Sequence, residues 1–241
     1  MKSKETLLKI IDALHKLYGS QGSYPKRDDL LDLLIAAKLT QNTTDKSAYI
    51  AFENLKKKYQ NWNEALEASH KELADEIRVC GLANTKAKEI QEMLRQMKEK
   101  YGNFNLSFLH KMKDDEIYRE LLQYRGFGVK IISCLLTFGL NRPSFVVDRH
   151  VHRVLNRIGI TKANTPDKTF EQANKIIPDK YKVSFHADVI KFGRNICRAQ
   201  NPLCGICPVY RYCEFELKKF FKEKTFNVPG TENNFIIFEH I

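Results

Sequence analysis

Four cysteines near the C-terminus constrain this chain more than any other feature. Cys197, Cys204, Cys207 and Cys213 are separated by six, two and five intervening residues in RNICRAQNPLCGICPVYRYCEFE. A loop this short can wrap four thiolates around one metal centre, zinc among the candidates. The uneven spacing fits the two-knuckle pattern of a zinc ribbon poorly. Disulfide staples are the other use of such cysteines, and they belong to oxidising compartments. Here the opening MKSKETLLKI has no export pattern, and no apolar run is long enough to cross a bilayer. The expectation is therefore an intracellular protein, cytoplasmic or nucleoid-associated in a prokaryote, with Cys80 and Cys134 as reduced thiols.

A chain of 241 residues can build one substantial core or two smaller lobes. Its 40 Lys and Arg against 29 Asp and Glu leave a formal charge of +11. Such a balance favours a polyanionic partner, and basic charge supplies the salt-sensitive, sequence-independent part of nucleic-acid affinity. A solvated cationic surface would carry the same charge, so the balance supports nucleic acid without deciding it.

Apolar spacing is helical nearly throughout. Leu7, Ile11, Leu14 and Tyr18 share one face, and Gly19 is placed to end that helix. Asp29 to Leu39 is apolar almost all round, the pattern of a helix buried on most sides. Further helical faces run through Ala48 to Tyr59, Ala87 to Tyr101, Ile117 to Leu122, Val129 to Leu140, Val151 to Ile158, Pro166 to Ile177 and Val183 to Ile196. The only strand candidate is Phe235 to Phe238. This pattern predicts an all-α fold in two helical lobes. Residues 22–140 would form one lobe, residues 1–21 with 141–216 the other, and 217–241 a tail with no assigned role.

Between two of these helices lies Arg125-Gly126-Phe127-Gly128, followed by Lys130 and, eighteen residues on, by Asp148 in Val146-Val147-Asp148-Arg149-His150. Two glycines one residue apart let a backbone turn sharply and approach another chain closely. The helix that opens there could hold a phosphate on its free N–H groups. Taken singly, the hairpin also reads as a packing turn, Lys130 as a phosphate contact and Asp148 as a helix N-cap. Taken in order, hairpin, lysine, Val-Asp motif and cysteine loop resemble the endonuclease III family of DNA glycosylases over roughly residues 28–216.

That resemblance implies a helix-hairpin-helix fold and a C-terminal [4Fe–4S] cluster held by Cys197, Cys204, Cys207 and Cys213. It also implies Lys130 as nucleophile and Asp148 as essential carboxylate. A deprotonated lysine attacks the sugar C1′ to give a Schiff base, and a carboxylate stabilises the positive charge that develops on the sugar. The Schiff base then permits β-elimination at the abasic site. A base must leave the duplex for this to happen, and something fills its place. Gln41 and Leu82 match the family's gap-filling positions, although Leu82 also reads as a core leucine and Gln41 as a helix-end hydrogen-bonder. Gly126, Gly128, His150, Arg153, Arg157, Arg194 and Arg198 complete the expected DNA-facing set. Arg153 and Arg157 lie four apart and so share a helix face suited to phosphates or to a salt bridge.

The chain departs from the family pattern in places. Tyr124-Arg125 stands where Leu-Pro usually precedes the hairpin glycines, and Ile131-Ile132-Ser133 replaces small polar residues after the lysine. The loop from Cys197 to Cys204 carries one basic residue, Arg198. These changes bear on lesion preference more than on the lyase chemistry. The expected function is a monomeric, bifunctional glycosylase and abasic-site lyase on double-stranded DNA with damaged bases or abasic sites, an oxidised pyrimidine first among them, and no membrane partner. A monofunctional glycosylase for alkylated purines or mismatched bases is the alternative within the superfamily. A non-catalytic DNA-binding module with structural zinc is the alternative of another class. An adenine glycosylase with a further lesion-sensing domain is disfavoured, because so little chain follows Cys213.

Overall fold

The structure is a computed structural model that describes residues 2–225, 227 and 234–241. Regular structure among the described residues is helical throughout. In chain order the α-helices are α1 Lys4–Tyr18, α2 Leu30–Leu39, α3 Asp45–Lys58, α4 Trp62–Glu67, α5 His70–Glu76, α6 Ala83–Tyr101, α7 Asp114–Leu121, α8 Val129–Cys134, α9 Arg149–Ile158, α10 Pro166–Ile176, α11 Asp179–Asn195 and α12 Lys218–Lys222. The chain divides into two compact units, one of residues 1–24 and 142–234, the other of residues 25–141 and 235–241. No described helix is long and apolar enough to cross a membrane.

In the second unit α2 is the central element. Leu30, Leu33, Leu34 and Ile35 are fully buried, and α3, α6 and α8 pack around them. Each such side chain stabilises the unit by about 1.5–3 kcal/mol of apolar burial. The short helices α4 and α5 have no clear apolar period of their own, and their caps define them instead. Asn61 Oδ1 accepts from the amides of Asn63 and Glu64, and Ser69 forms a capping box with Glu72.

Two expectations are corrected in this unit. The apolar run from Val129 is not one α-helix to Leu140. It is α-helical to Cys134 and continues as a π-helical turn over Leu135–Gly139, closed by the Leu140 amide on the Leu135 carbonyl at 3.0 Å. The wider turn leaves the Gly139 carbonyl to accept from the Arg27 amide at 2.9 Å, and a Cβ at Gly139 would stand only 2.9 Å from Leu30 Cδ2. Nor does Phe235 to Phe238 form a strand. It enters a 3₁₀ turn at Ile237–Glu239 that lies back on α3, with the Ile237 amide on Asp45 Oδ2 at 3.2 Å. A lone segment without a partner strand has nowhere to place ladder hydrogen bonds, so its apolar residues are buried as a turn. Phe238 stacks on Phe138 with ring centres 4.6 Å apart, and Phe235 stacks on His240 at 4.3 Å.

The other unit is built on α11, which packs against α1 and α9, with α10 beside α9. Helix α1 starts at a Ser3 cap and, as its sequence predicts, ends at Gly19, which is in the left-handed conformation. Beneath α1 the fully buried Asp188 accepts from the Ser20 amide and pairs with His15 Nδ1, both at 3.1 Å.

Because Phe238 fills the core of the second unit, Phe238→Ala is expected to destabilise the protein by about 3 kcal/mol. Urea denaturation measures this, and a change well under 1 kcal/mol would place the C-terminal segment outside the core.

Candidate active site and cluster loop

The sequence-marked residues of the second unit converge on the C-terminal turn of α2. Gly126 adopts φ +78°, and its carbonyl accepts from Lys38 Nζ at 3.2 Å and from Gln41 Nε2 at 3.1 Å. Lys38, only 1% exposed, also pairs with Glu89 of α6. A Cβ at Gly126 would collide with both partners of that ion pair, so the position requires glycine twice over. Gly128 differs: it is extended, at φ −121°, and nothing lies within 4 Å of where its Cβ would stand. Tyr124 is buried and donates to the Tyr101 hydroxyl at 3.3 Å, and Tyr101 in turn donates to Glu120. These part-buried hydrogen bonds tie the residue before the hairpin to α6 and α7.

Lys130 leaves the hairpin at the start of α8, half-buried, with Nζ donating to Thr40 Oγ1 at 3.1 Å. Nearby, Lys86 is 2% exposed and donates to the carbonyls of Leu39 and Cys80, both at 2.9 Å, and to Cys80 Sγ at 3.4 Å. Burial pushes the Lys86 ammonium below the usual lysine range; Cys80 opposes the shift, and the charges of Lys38 and Lys130 add to it. Leu82 sits two residues beyond Cys80, 57% exposed and in the left-handed region at φ +52°. It is not a core leucine. Gln41 is half-buried and bound to the hairpin carbonyl, as a helix-end hydrogen-bonder would be.

Sequence reasoning did not find Lys38 or the buried anchoring role of Lys86. The signal for Lys38 was available, since it is the one lysine within the apolar run LLDLLIAAKL. A buried lysine of that kind requires a partner.

In the other unit, Asp148 caps α9: its Oδ1 accepts from the amides of His150 and Val151, both at 2.8 Å. Burial, with the charges of Arg153, Arg194 and Arg149, pushes His150 down to about 4 against the pull of Asp148. At neutral pH the imidazole is uncharged, a hydrogen-bonding group rather than a phosphate-binding cation.

Arg153 and Arg157 point inward. Arg153 donates to the carbonyls of Gly193 at 2.8 Å and Cys197 at 3.1 Å, and so closes the end of α11. Arg157 donates to the carbonyls of Arg198 at 2.6 Å and Ala199 at 3.1 Å, and lies over the Phe215 ring at 4.2 Å. The Gly193 carbonyl lies in the last turn of α11, where carbonyls lack partners inside the helix, and the Arg198 and Ala199 carbonyls lie in the loop beyond it. Instead of presenting a phosphate-facing stripe, they clamp the cysteine loop. Arg198 donates to the Asn201 carbonyl at 2.9 Å within the loop itself, and Arg194 stands half-buried in the last turn of α11.

All four loop cysteines line one cavity, walled by Ile158, Phe192, Ile196 and Val209. Burial pushes Cys204 up to about 11 and Cys207 up to about 12, and the charges of the neighbouring cysteines push in the same direction. Four thiolates this close repel unless cations sit among them, and metal binding then displaces their protons. Among the described residues no three His, Cys, Asp or Glu side chains gather as ligands of a single metal ion. A [4Fe–4S] cluster would be held by cysteine thiolates, and the four cysteines lining this cavity would supply them.

The fold and this loop together define a helix-hairpin-helix protein with an iron–sulfur module. Comparison with known proteins agrees. The family model for HhH-GPD superfamily base excision DNA repair proteins matches residues 35–179, and that for the iron–sulfur binding domain of endonuclease III matches residues 197–213. Endonuclease III of Thermotoga maritima is 34% identical over 190 residues, covering 79% of this chain and 85% of its own. Endonuclease III of Rickettsia felis is 30% identical over 210 residues, covering 86% and 94%. A solved non-covalent endonuclease III–DNA complex superposes with a TM-score of 0.77 at 26% identity, covering 91% of this chain and 99% of that one. A trapped covalent endonuclease III–DNA intermediate superposes with 0.75 at 27% identity, covering 91% and 100%. The chain belongs to the HhH-GPD superfamily of base excision DNA repair proteins. It is a DNA glycosylase of the endonuclease III type with a [4Fe–4S] cluster.

Two outcomes follow from this geometry. Cys204→Ser is expected to lose the visible absorbance of the cluster and most of the iron, and to lower the melting temperature. A colourless wild-type protein containing zinc would contradict the cluster. Arg153→Ala should lower the melting temperature while leaving the salt dependence of duplex binding unchanged, because its guanidinium is bound to carbonyls. A log–log slope smaller by about 0.9 would instead show that a phosphate contact had been lost.

Proposed function

We propose that this chain is a bifunctional glycosylase and abasic-site lyase that excises an oxidised pyrimidine from double-stranded DNA, acting as a monomer. The observation that carries the reading is the state of Lys130. Among the described residues its amine has a neutral hydroxyl partner, Thr40 Oγ1 at 3.1 Å, and no ion pair. A carboxylate partner would hold the amine in an ion pair, whereas a single hydroxyl contact leaves it accessible to an incoming sugar carbon. Lys86 and Lys38 lie close by as further positive charge.

In this reading Lys130 Nζ attacks C1′ of the damaged nucleotide and the base departs with the electrons of the glycosidic bond, taking up a proton. Loss of the amine proton and ring opening give a protonated Schiff base. Removal of a C2′ proton then expels the 3′ phosphate and nicks the strand, and water releases Lys130 from the sugar fragment. Asp148 stabilises the positive charge on the sugar as the base leaves. Its carboxylate is fixed by the two amides it caps, so little reorganisation is needed when that charge appears.

Binding roles divide along the same lines. Gly128 has open space where a Cβ would be, so the fold itself does not require glycine there; a DNA backbone approaching closely would. Leu82, exposed on its loop, is suited to fill the gap left by the extruded base, with Gln41 beside the hairpin carbonyl. Cys197, Cys204, Cys207 and Cys213 are the thiolate ligands of the cluster, which, when bound, joins the two ends of its loop through metal–thiolate bonds.

Lys130→Gln is expected to abolish nicking of abasic duplex while duplex affinity changes by no more than the loss of one phosphate contact. Asp148→Asn keeps an N-cap acceptor, so it should reduce base excision on the order of 100-fold at nearly unchanged melting temperature. Nicking that survives in Lys130→Gln would assign the nucleophile to another amine.

A further inference from the structure

Lys86 is buried to 2% exposure, and all three of its donors are taken. Two of them hold backbone carbonyls from segments far apart in sequence: Leu39, two residues before Gln41, and Cys80, two residues before Leu82, both at 2.9 Å. The third lies 3.4 Å from Cys80 Sγ, which in turn donates to the Ile77 carbonyl at 3.0 Å. One ammonium thus joins the loop carrying Gln41 to the loop carrying Leu82.

The second segment is held under strain. Gly81 has φ +67° and Leu82, a residue with a Cβ, has φ +52°. Left-handed backbone at a leucine persists only where its surroundings over-determine it. Helix α6 begins at Ala83, and the Lys86 amide donates to the Leu82 carbonyl at 2.9 Å. Lys86 therefore grips the strained turn from both sides, with its amide on Leu82 and its ammonium on Cys80.

We propose that Lys86 is a positioning residue that fixes the spacing of the Gln41 and Leu82 loops, so that both enter a DNA gap as one rigid piece. This rests on the reading of Leu82 as a gap-filling side chain. A buried ammonium suits the task better than an apolar contact, because its hydrogen bonds are short, directional and unsatisfiable elsewhere once water is excluded.

The test uses the whole protein and a duplex with an uncleavable tetrahydrofuran abasic analogue opposite 2-aminopurine, whose fluorescence rises when its stacking is broken. Wild-type protein should raise the signal and Leu82→Ala should lose it. Lys86→Met should lose most of it while retaining cluster absorbance and duplex binding, and the double variant should show no further loss. In excision assays on duplex, Lys86→Met should be slower on the order of tenfold to a hundredfold, as expected for a sub-ångström to ångström misplacement. A full fluorescence signal in Lys86→Met beside a silent Leu82→Ala overturns the proposal alone. No signal in wild type, or a full one in Leu82→Ala, overturns the gap-filling reading and the proposal with it.

Should Lys86→Met fail to fold, hydrogen exchange on wild-type protein decides. The Gln41 amide, bonded to the Lys38 carbonyl, and the Gly81 amide, bonded to the Arg78 carbonyl, should open together with equal protection. Widely different protection of the two loops overturns the tie.

Discussion

The end of helix α2 leaves backbone carbonyls without partners inside the helix, as every helix end does. Around this one, lysines reach the hairpin and both nearby loops. Lys38 and Gln41 hold the Gly126 carbonyl, the Leu39 carbonyl accepts from Lys86, and Thr40 accepts from Lys130. Four successive residues therefore fix the hairpin, the proposed nucleophile and the loop of Leu82. Because α2 is buried on nearly every side, none of these can shift without disturbing the core of the unit. Interior packing is dense enough to transmit such a shift rather than absorb it.

The unit containing the cysteines solves a different problem. Its loop from Ile196 to Cys213 is mostly irregular, with only brief 3₁₀ turns, and side chains add to the backbone hydrogen bonds within it. Arg153 and Arg157 occupy its carbonyls, and Arg157 also lines the cavity that the four cysteines share. The guanidinium of Arg157 also lies 3.8 Å from Cys197 Sγ, so its charge favours the thiolate form that a cluster needs. Part of the formal +11 charge of the chain is thus engaged in holding the loop.

Much of this was legible in residues whose chemistry is local. Gly19, Asp148 and the cysteine spacing each state a geometric need that neighbours along the chain satisfy, and the structure places Gly19 and Asp148 as helix caps. Helices α4 and α5 escaped notice because caps, not apolar periodicity, define them. The π-helical turn was hidden because Leu135 to Leu140 has the composition of an ordinary buried helix. Arg153 and Arg157 do share one face, as their spacing indicates. Which way that face points depends on α11 and the cysteine loop, dozens of residues downstream. Lys38 and Lys86 were obscured in a similar way: lysine is read as a surface residue until its partners, 88 and 47 residues away, are known.

The most direct test of the catalytic account is to identify the atom that bonds to DNA. Borohydride reduction of the protein on duplex containing an abasic site, followed by proteolysis and mass spectrometry, locates the trapped sugar on a single peptide. The account predicts one adduct, on Lys130. An adduct on Lys86, Lys38 or the N-terminal amine, or no adduct from protein that still nicks the strand, would contradict it.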